Sequence, residues 1–561
     1  MTFVDDYPEE ARIVRWNFAV AFGALAIGGF FGLIQALHRT GVFRGFVSSA
    51  DYYTILTGHG VLLALVFTTF FLAGLFTWGV TRSLDRSAVD HRFTQAWFWT
   101  MLAGAVMAAV AILGGVVAGI PTSADVLYTF YAPLEAHPLF YVGLAVFVVG
   151  SWLAGLDWFR TYRAWRAENP DERIPLQTFM VLTTMLMWYL SSAGVAVEVL
   201  VFLLPWSLGL IPKVDPLLTR TLFWYFGHAV VYFWLLPAYF VWYTILPKLA
   251  GGRLFSDPLA RVVFLLFLLL STPVGFHHQY VDPGVPEGYK FLAMTNTMFL
   301  LLPSLLTAFT VVASLEHGAR QQGGEGYLGW LRALPWDSPA FVGGALAGLM
   351  FAAGGFSGMI NAGMNINYLV HNTIWVPGHF HLTVGTAAAL TFMAVTYWLF
   401  PQISGKRLRH KSVALVQPYL WFLGMTLMSN AMHRAGLAGV PRRTAEPQYP
   451  DAGITFEGVV GGIGEMRAQI AIGGILLFTS LVLFLYVLVS TWLSQRTPTI
   501  DVNGTIPAPI SGAADGPKVL DNLRLWAVIA VVLVVIAYGV PLAGMVMSGG
   551  PLGPGSAPFP V

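Results

Sequence analysis

Long apolar stretches alternate with short polar connections along the whole chain. Thirteen of these stretches are long enough to cross a hydrocarbon layer of about 30 Å as α-helices, which rise by about 1.5 Å per residue. The stretches lie at roughly residues 15–38, 54–80, 94–120, 137–157, 177–207, 219–247, 260–277, 290–315, 340–362, 368–401, 412–437, 468–494 and 523–548. The pattern therefore predicts an all-α, polytopic membrane protein with about 13 transmembrane helices.

Basic residues are unevenly distributed between the two sets of alternate connections. Assigning the N-terminus and every second loop to one side gives that side about 21 of the 30 Lys and Arg residues. Because cytoplasmic loops carry an excess of Lys and Arg, we expect the N-terminus inside and the C-terminus outside. The 561 residues are predicted to form a single transmembrane domain, with a ligand-bearing core at about 54–443 and extra C-terminal helices at about 468–548.

The composition limits the possible partners and metal ligands. With 56% hydrophobic and 10% charged residues, the chain lies far outside the usual range of soluble domains. The formal net charge of +2 is explained by the biased loops and indicates no nucleic-acid partner. Because the chain contains no Cys, disulfides, thiolate zinc sites and iron–sulfur clusters are excluded. Any metal must be held by His, Tyr or carboxylate side chains.

Six imidazoles are predicted to share the outer half of the membrane. An imidazole in hydrocarbon loses its hydrogen bonds to water, so intramembrane His is rare and usually marks a cofactor, a proton route or a buried polar contact. The six lie on four predicted helices: His59 on the second, His228 on the sixth, His277 and His278 at the end of the seventh, and His379 and His381 on the tenth. For a single residue such as His59, a hydrogen-bonded packing role remains open.

The spacing of His379 and His381 predicts two cofactors rather than one. Residues at i and i+2 on a helix point about 200° apart, so the two imidazoles cannot readily ligate one ion. They can serve two planar haems on opposite sides of the helix, and Gly378 would leave room for a flat macrocycle. His59 is then available as the second axial ligand of one haem, while the other haem keeps an open face.

A second arrangement of ligands predicts a copper site. His228 and Tyr232 lie at i and i+4, on one face of their helix, where a phenol can donate a proton or an electron. His228, His277 and His278 together would form a three-nitrogen copper site with one position unfilled. Tyr232 read alone is equally consistent with aromatic packing.

These residues resemble subunit I of the haem–copper oxidase superfamily, and within it the B-type, or ba-type, cytochrome c oxidases. The resemblance extends over about residues 56–443, and the segments that carry it are 126–131, 227–239, 271–279, 371–381 and 440–443. It implies that His59 and His381 ligate a b-type low-spin haem and that His379 ligates an a-type high-spin haem. It also implies that His228, His277 and His278 hold the copper called CuB, and that Tyr232 is covalently bonded to His228.

The resemblance also implies a proton route and a site for the haem propionates. The expected members of the route, on the sixth and eighth predicted helices, are Tyr239, Tyr243, Ser304, Thr307 and Thr310. The hydroxyls of Ser and Thr commonly bond back to helix carbonyls, so a purely structural role is the alternative. Arg442 and Arg443 could hold propionates through their fork-shaped guanidinium groups, with His371 as a further candidate there.

The implied function is that of a terminal respiratory oxidase in the plasma (inner) membrane of a prokaryote. It would reduce O2 to water with electrons from a soluble cytochrome c, coupled to proton uptake and pumping. In such enzymes the CuA centre uses Cys thiolates, so a partner subunit II is expected to carry it, with small accessory subunits and membrane lipid as further partners.

Three positions depart from superfamily patterns: Val230 replaces a Glu of the A-type enzymes, Ala229 replaces a Pro, and Asn367 replaces an Asp of close B-type relatives. Val230 favours the single proton route of the B-type, whereas Asn367 makes pumping less certain than O2 reduction. The alternatives are a nitric oxide reductase of the same superfamily and a non-haem proton-coupled transporter.

Overall fold

The computed structural model describes residues 2–43, 45–445, 461–496 and 504–549, and the secondary structure of these ranges is helical apart from two isolated β-bridges. Its principal helices are α1 (Pro8–His38), α2 (Ser49–Leu84), α3 (His91–Ala118), α4 (Pro138–Glu168), α5 (Leu176–Ser207), α6 (Pro216–Leu249), α7 (Asp257–Leu270), α8 (Glu287–Gln321), α9 (Pro339–Ala362), α10 (Trp375–Ser404), α11 (Lys411–Leu437), α12 (Ile463–Trp492) and α13 (Leu523–Gly549).

Twelve helices of the described ranges are long and apolar enough to cross a membrane, which confirms the all-α, polytopic class. The exception is α7, which has 14 residues and ends at Leu270. Pro273 explains this end, because proline has no backbone N–H and disfavours helical geometry in the residue before it. The seventh predicted stretch is therefore interrupted, and a short 3-10 helix, Gly275–Gln279, follows α7.

Two of the most buried helices contain a segment of wider, π-helical winding beside their His residues. In α2 this segment is Val61–Phe67, and it begins two residues after His59. In α10 it is Thr383–Ala388, and it begins two residues after His381. Single turns of this kind are rare and frequently occur at functional sites. The winding shifts the register of the side chains that follow each ligand candidate.

The C-terminal helix α13 is attached to the bundle by charged contacts at its start. Asp521, just before α13, accepts hydrogen bonds from Arg173 and, at 2.5 Å, from Arg261. The Arg261 side chain is 1% exposed and also donates to Asp257 at 2.5 Å. Because a buried guanidinium is stable only when its donors are paired, these contacts fix the start of α13 against α7.

Candidate active site

Three imidazoles converge where α6 meets the 3-10 helix after α7. Nδ1 of His228 lies 3.2 Å from Nε2 of His278, and the ring centres of His228 and His277 are 4.2 Å apart. One ligand nitrogen from each of the three residues lies within 4.8 Å of the others. This donor set, neutral nitrogen in a buried site, suits copper, zinc or iron.

Packing around the trio fixes how each ring is presented. His278 stacks on Trp224, with ring centres 3.8 Å apart and planes 8° from parallel. Nδ1 of His277 lies 2.8 Å from the hydroxyl of Thr297, which leaves its Nε2 for a ligand. The backbone at Gly275 passes so close to α6 that a Cβ atom there would lie 2.2 Å from the carbonyl oxygen of Trp224. Only glycine fits at this position.

Tyr232 lies one turn beyond His228 and faces the same site. Its phenolic oxygen is 3.1 Å from Nε2 of His228, and the two rings meet at 68°. The Tyr232 ring also packs against Phe267 of α7, at 5.0 Å between ring centres. The phenol therefore borders the cavity that the three imidazoles line.

His379 lines that same cavity from the opposite side, on α10. Its Nδ1 lies 2.9 Å from the hydroxyl of Ser357 and 3.1 Å from the carbonyl oxygen of Gly354, both on α9. A carbonyl partner makes Nδ1 the protonated nitrogen, so Nε2 is the available ligand atom.

His59 of α2 and His381 of α10 face each other across a second cavity, with an empty volume of about 1690 Å³. Their planes are 19° from parallel and their ring centres are 6.3 Å apart. Nδ1 of His59 lies 2.8 Å from the carbonyl oxygen of Gly28, and Nδ1 of His381 lies 2.7 Å from that of Pro377. Two imidazoles that bind one metal from opposite sides through bonds of ~2 Å place their ring centres roughly 6 Å apart. The pair therefore fits the axial ligands of one haem.

Gly378 does not have the role expected from its position between the two haem-ligand candidates. A Cβ atom there would lie 2.9 Å from Nδ1 of His433 and 3.1 Å from Met432, both on α11. The glycine therefore permits close packing of α10 against α11 rather than the approach of a macrocycle. The expectation was wrong because i and i+2 ligands leave a third helix face, which is the face that Gly378 occupies.

Arg442 and Arg443 follow α11 and border the cavities with unpaired nitrogen atoms. Arg442 donates from Nη2 to the side chain of Asn372 at 2.9 Å, while its buried Nε finds no partner among the described residues. Burial and the neighbouring Arg443 lower the pKa of Arg442 to about 9. Nη2 of Arg443 is also buried without a partner in the described part of the chain, and its backbone φ is +59°. Two half-buried cations, each with a buried nitrogen that has no partner among the described residues, fit a carboxylate ligand such as a haem propionate.

His371 lies near this pair and lines the first cavity together with Arg442. Its Nδ1 is 3.0 Å from the side-chain oxygen of Asn367. Burial, with a further contribution from Arg442, lowers the pKa of His371 to about 4. His371 is therefore neutral at neutral pH, and because the Asn367 oxygen accepts from Nδ1, its Nε2 is left as a hydrogen-bond acceptor.

Residues of the expected proton route form two hydrogen-bonded pairs between α6 and α8. Tyr239 donates to Ser304 at 3.3 Å, and the hydroxyls of Tyr243 and Thr307 are 2.7 Å apart. Thr310 is buried, and its hydroxyl bonds back at 2.7 Å to the carbonyl one turn earlier. The hydroxyls of Ser304 and Thr307 also donate to carbonyls of their own helix, so the purely structural role applies to all three residues. Ser304 and Thr307 differ from Thr310 because each also contacts a phenol.

Three residues of the site were not predicted from the sequence. Trp224, Ser357 and His433 touch the predicted ligands or the backbone beside them. Trp224 and Ser357 are ordinary residues of apolar helices, so no pattern distinguished them. The signal available for His433 was its place in an apolar stretch, which is the signal that singled out His59.

Comparisons with known proteins agree with this geometry. The family model described as cytochrome C and quinol oxidase polypeptide I matches residues 12–475. Cytochrome c oxidase subunit 1 of Thermus thermophilus is 44% identical over 550 residues, which cover 95% of this chain and 94% of the relative. Cytochrome c oxidase polypeptide 1 of Halobacterium salinarum is 25% identical, with 87% and 81% covered. A cryo-EM structure of a heme-copper terminal oxidase dimer matches at a TM-score of 0.86 and 37% identity, over 95% of this chain and 92% of that one.

Proposed function

The chain belongs to the family of cytochrome c and quinol oxidase polypeptide I, the catalytic subunit of haem–copper oxidases, and on this premise we propose how its residues carry out O2 reduction in a B-type cytochrome c oxidase. The observation that carries the proposal is the convergence of His228, His277 and His278 opposite His379, on one cavity. The B-type is supported by the identity to the Thermus subunit.

His228, His277 and His278 hold copper in this proposal, and His379 holds the high-spin haem. His59 and His381 hold the low-spin haem, supported by their nearly parallel rings. When bound, the two haems and the copper supply the electrons that reduce O2. The b-type for the low-spin haem and the a-type for the high-spin haem come from the resemblance to ba-type oxidases. Helix α10 connects the two cavities, because its His379 lines one and its His381 lines the other.

Tyr232 has the role of proton donor at this centre. Its phenolic hydroxyl lies beside the cavity and within hydrogen-bond distance of His228, so its proton can leave toward a ligand bound there. We further propose that the Tyr232 and His228 rings become covalently bonded in the mature enzyme.

Protons would reach Tyr232 from the inner side along Tyr239, Tyr243, Ser304 and Thr307, with Thr310 nearest the inner surface. The two phenol–hydroxyl pairs support this route because they join α6 to α8 at successive turns. The direction depends on the predicted topology, with the N-terminus inside. Protons drawn from the inside against electrons delivered from the outside charge the membrane at ~2.3 kcal/mol per charge per 100 mV.

Arg442 and Arg443 bind haem propionates in this proposal, and His371 is a further polar residue of that region. Their unpaired buried nitrogens support this role, since a buried guanidinium donor without an acceptor is costly. With Asn367 beside His371, the region lacks the carboxylate of close B-type relatives. Proton pumping through this region would therefore use the propionates and His371.

The chain works in a complex with other subunits, such as subunit II. We propose that subunit II carries the CuA centre and receives electrons from a soluble cytochrome c, because the chain has no Cys to hold such a centre. Small accessory subunits and lipid would surround the multi-pass bundle. The plasma membrane of a prokaryote is proposed as its location, supported by its bacterial and archaeal relatives.

Metal analysis of the purified complex distinguishes this proposal from the nitric oxide reductase alternative. Reductase sites of that superfamily hold non-haem iron with carboxylate help, whereas the metal-binding group found among the described residues contains three His and Val230 is buried nearby. The oxidase requires copper and two haem irons in this chain, with additional copper in subunit II. A complex with a third iron and no copper in this chain would favour the reductase.

A further inference from the structure

The ring of Tyr538, in the middle of α13, contacts the segment that carries the copper ligands. Its side chain is 2% exposed and stacks on Phe276, with ring centres 4.7 Å apart and planes 24° from parallel. The edge of Tyr225 on α6 meets the other side, at 4.9 Å between ring centres. Phe276 immediately precedes His277, so this stack acts directly on the 3-10 helix Gly275–Gln279.

The backbone of the same segment is also held between α6 and α13. A Cβ atom at Gly275 would lie 2.2 Å from the Trp224 carbonyl oxygen and 2.3 Å from the phenolic oxygen of Tyr538. Trp224 in turn stacks on the ring of His278. Trp224 of α6 and Tyr538 of α13 therefore confine residues 275–277 and the ring of His278.

Contacts from other helices act on the same segment: Nδ1 of His277 lies 2.8 Å from the hydroxyl of Thr297, and Gln279 donates to Thr221 at 3.0 Å. The 3-10 helix has five residues, and its geometry gives weaker backbone hydrogen bonds than an α-helix. A short segment of this kind depends on tertiary packing for a single conformation. The match to the family model ends at residue 475, before α13 begins.

We propose that Tyr538 is a positioning residue for the copper site: its ring fixes Phe276 and Gly275 so that His277 and His278 meet His228 with ligand geometry. The inference rests on the proposed copper site and extends it to a helix that follows the part matched by the family model. The ring carries this role, since it is the ring that stacks on Phe276. Removal of partners beyond the ligands themselves typically lowers metal affinity by ~10–100-fold.

The test compares three variants of the whole complex: Tyr538→Ala, Tyr538→Phe and Ile536→Ala. Ile536 is 60% exposed on the same helix and is a matched control for loss of an apolar side chain that does not reach the segment. Copper retention is measured by titration with a copper chelator, and the infrared band of carbon monoxide bound to the copper reports ligand geometry. Haem absorption shows that the complex has assembled.

Tyr538→Ala is expected to lose copper at a chelator concentration at least ~10-fold lower than the parent and to shift or broaden the infrared band, because its ligand segment is less confined. Tyr538→Phe and Ile536→Ala should match the parent in both measurements. Equal copper retention and an unchanged band in Tyr538→Ala would overturn the proposal. So would equal losses in Tyr538→Ala and Ile536→Ala.

A fourth variant, Phe276→Leu, keeps the proposal testable if Tyr538→Ala fails to assemble. Phe276→Leu removes the ring that stacks on Tyr538 and leaves α13 intact, and it should produce the same loss of copper affinity. An assembled Phe276→Leu complex with parental copper affinity would overturn the proposal. Copper analysis of the parent complex distinguishes failure of this inference from failure of the proposed function. If the parent holds no copper in this chain, the proposed copper site is wrong. If the parent holds copper and the variants retain it equally well, only the role of Tyr538 is refuted.

Discussion

The phenolic oxygen of Tyr232 lies 3.1 Å from Nε2 of His228, one helical turn earlier on α6. The i, i+4 spacing brings the two rings to the same face, and Phe267 of α7 packs against the Tyr232 ring from the side. The residue proposed to hold metal and the residue proposed to release a proton are thereby joined in one helical turn. No loop movement is needed to bring them together.

The covalent bond proposed between these two rings predicts a linked peptide. Bond formation removes two hydrogen atoms, with O2, the substrate of the proposed reaction, accepting the two electrons and two protons, so a proteolytic fragment that contains His228 and Tyr232 should be lighter than its sequence mass by that amount. Mass spectrometry of the digested, active complex measures this difference. The matched control, Tyr232→Phe, should give the unmodified mass, and an unmodified mass in the parent would refute the bond while leaving the hydrogen-bonded pair.

Replacing one copper ligand should remove the metal and leave both haems. His278→Ala deletes one of three nitrogen donors, so its loss of copper affinity should exceed the ~10–100-fold typical of removing an outer partner. Copper analysis of the purified complex and its haem absorption spectrum measure the two outcomes. His410→Ala is the control, because His410 contacts Tyr486 at the exposed surface and should retain copper. Full copper occupancy in His278→Ala would contradict the assignment.

Replacing His59 should affect the low-spin haem alone. His59→Ala leaves His381 as a single axial ligand, so the low-spin absorption bands should disappear while binding of carbon monoxide at the other haem persists. Visible spectra of the reduced complex, with and without carbon monoxide, measure both effects. His433→Ala is informative as a comparison, since His433 packs on α10 at Gly378 and is predicted to hold neither haem. Loss of low-spin absorption in His433→Ala rather than in His59→Ala would reverse the assignment.

The phenol–hydroxyl pairs predict which substitutions slow proton uptake. Tyr243→Phe removes the hydroxyl that lies 2.7 Å from Thr307, and we expect at least a ~10-fold loss of turnover, since positioned proton-transfer groups commonly contribute ~10²–10⁴-fold. Thr310→Val should have a smaller effect, because its hydroxyl bonds to its own helix. Oxygen consumption and proton uptake after flash photolysis measure these losses. Tyr419→Phe, on the exposed side of α11, is the control. Parental rates in Tyr243→Phe would exclude this route.

The helices and the grouping of ligands could be predicted from the sequence because each depends on local rules. Apolar length defined twelve of the described helices, and the 3.6-residue period placed His379 and His381 on different sides of α10. The pairing of His228 with Tyr232 on one helix face follows from the same period. Predictions of this kind require no knowledge of which helices are neighbours.

Other features could not be predicted because they depend on contacts between distant segments. The interruption after Leu270 has a local signal in Pro273, yet hydropathy averages over it and extends the stretch to residue 277. The role of Gly378 depends on α11, whose His433 fills the space beside it. The contact of Tyr538 with Phe276 joins residues 262 positions apart, and no periodicity carries such information.

The central claim is that two haems, only one of them with an open face, and one copper are held by six imidazoles of this chain. The reduced-minus-oxidised spectrum of the purified complex, recorded with and without carbon monoxide, tests it most directly. The account predicts two haem signals, of which only one shifts with carbon monoxide, and that ligand should move to copper when light releases it from the iron. Absence of haem absorption, or carbon monoxide binding at both haems, would contradict the account.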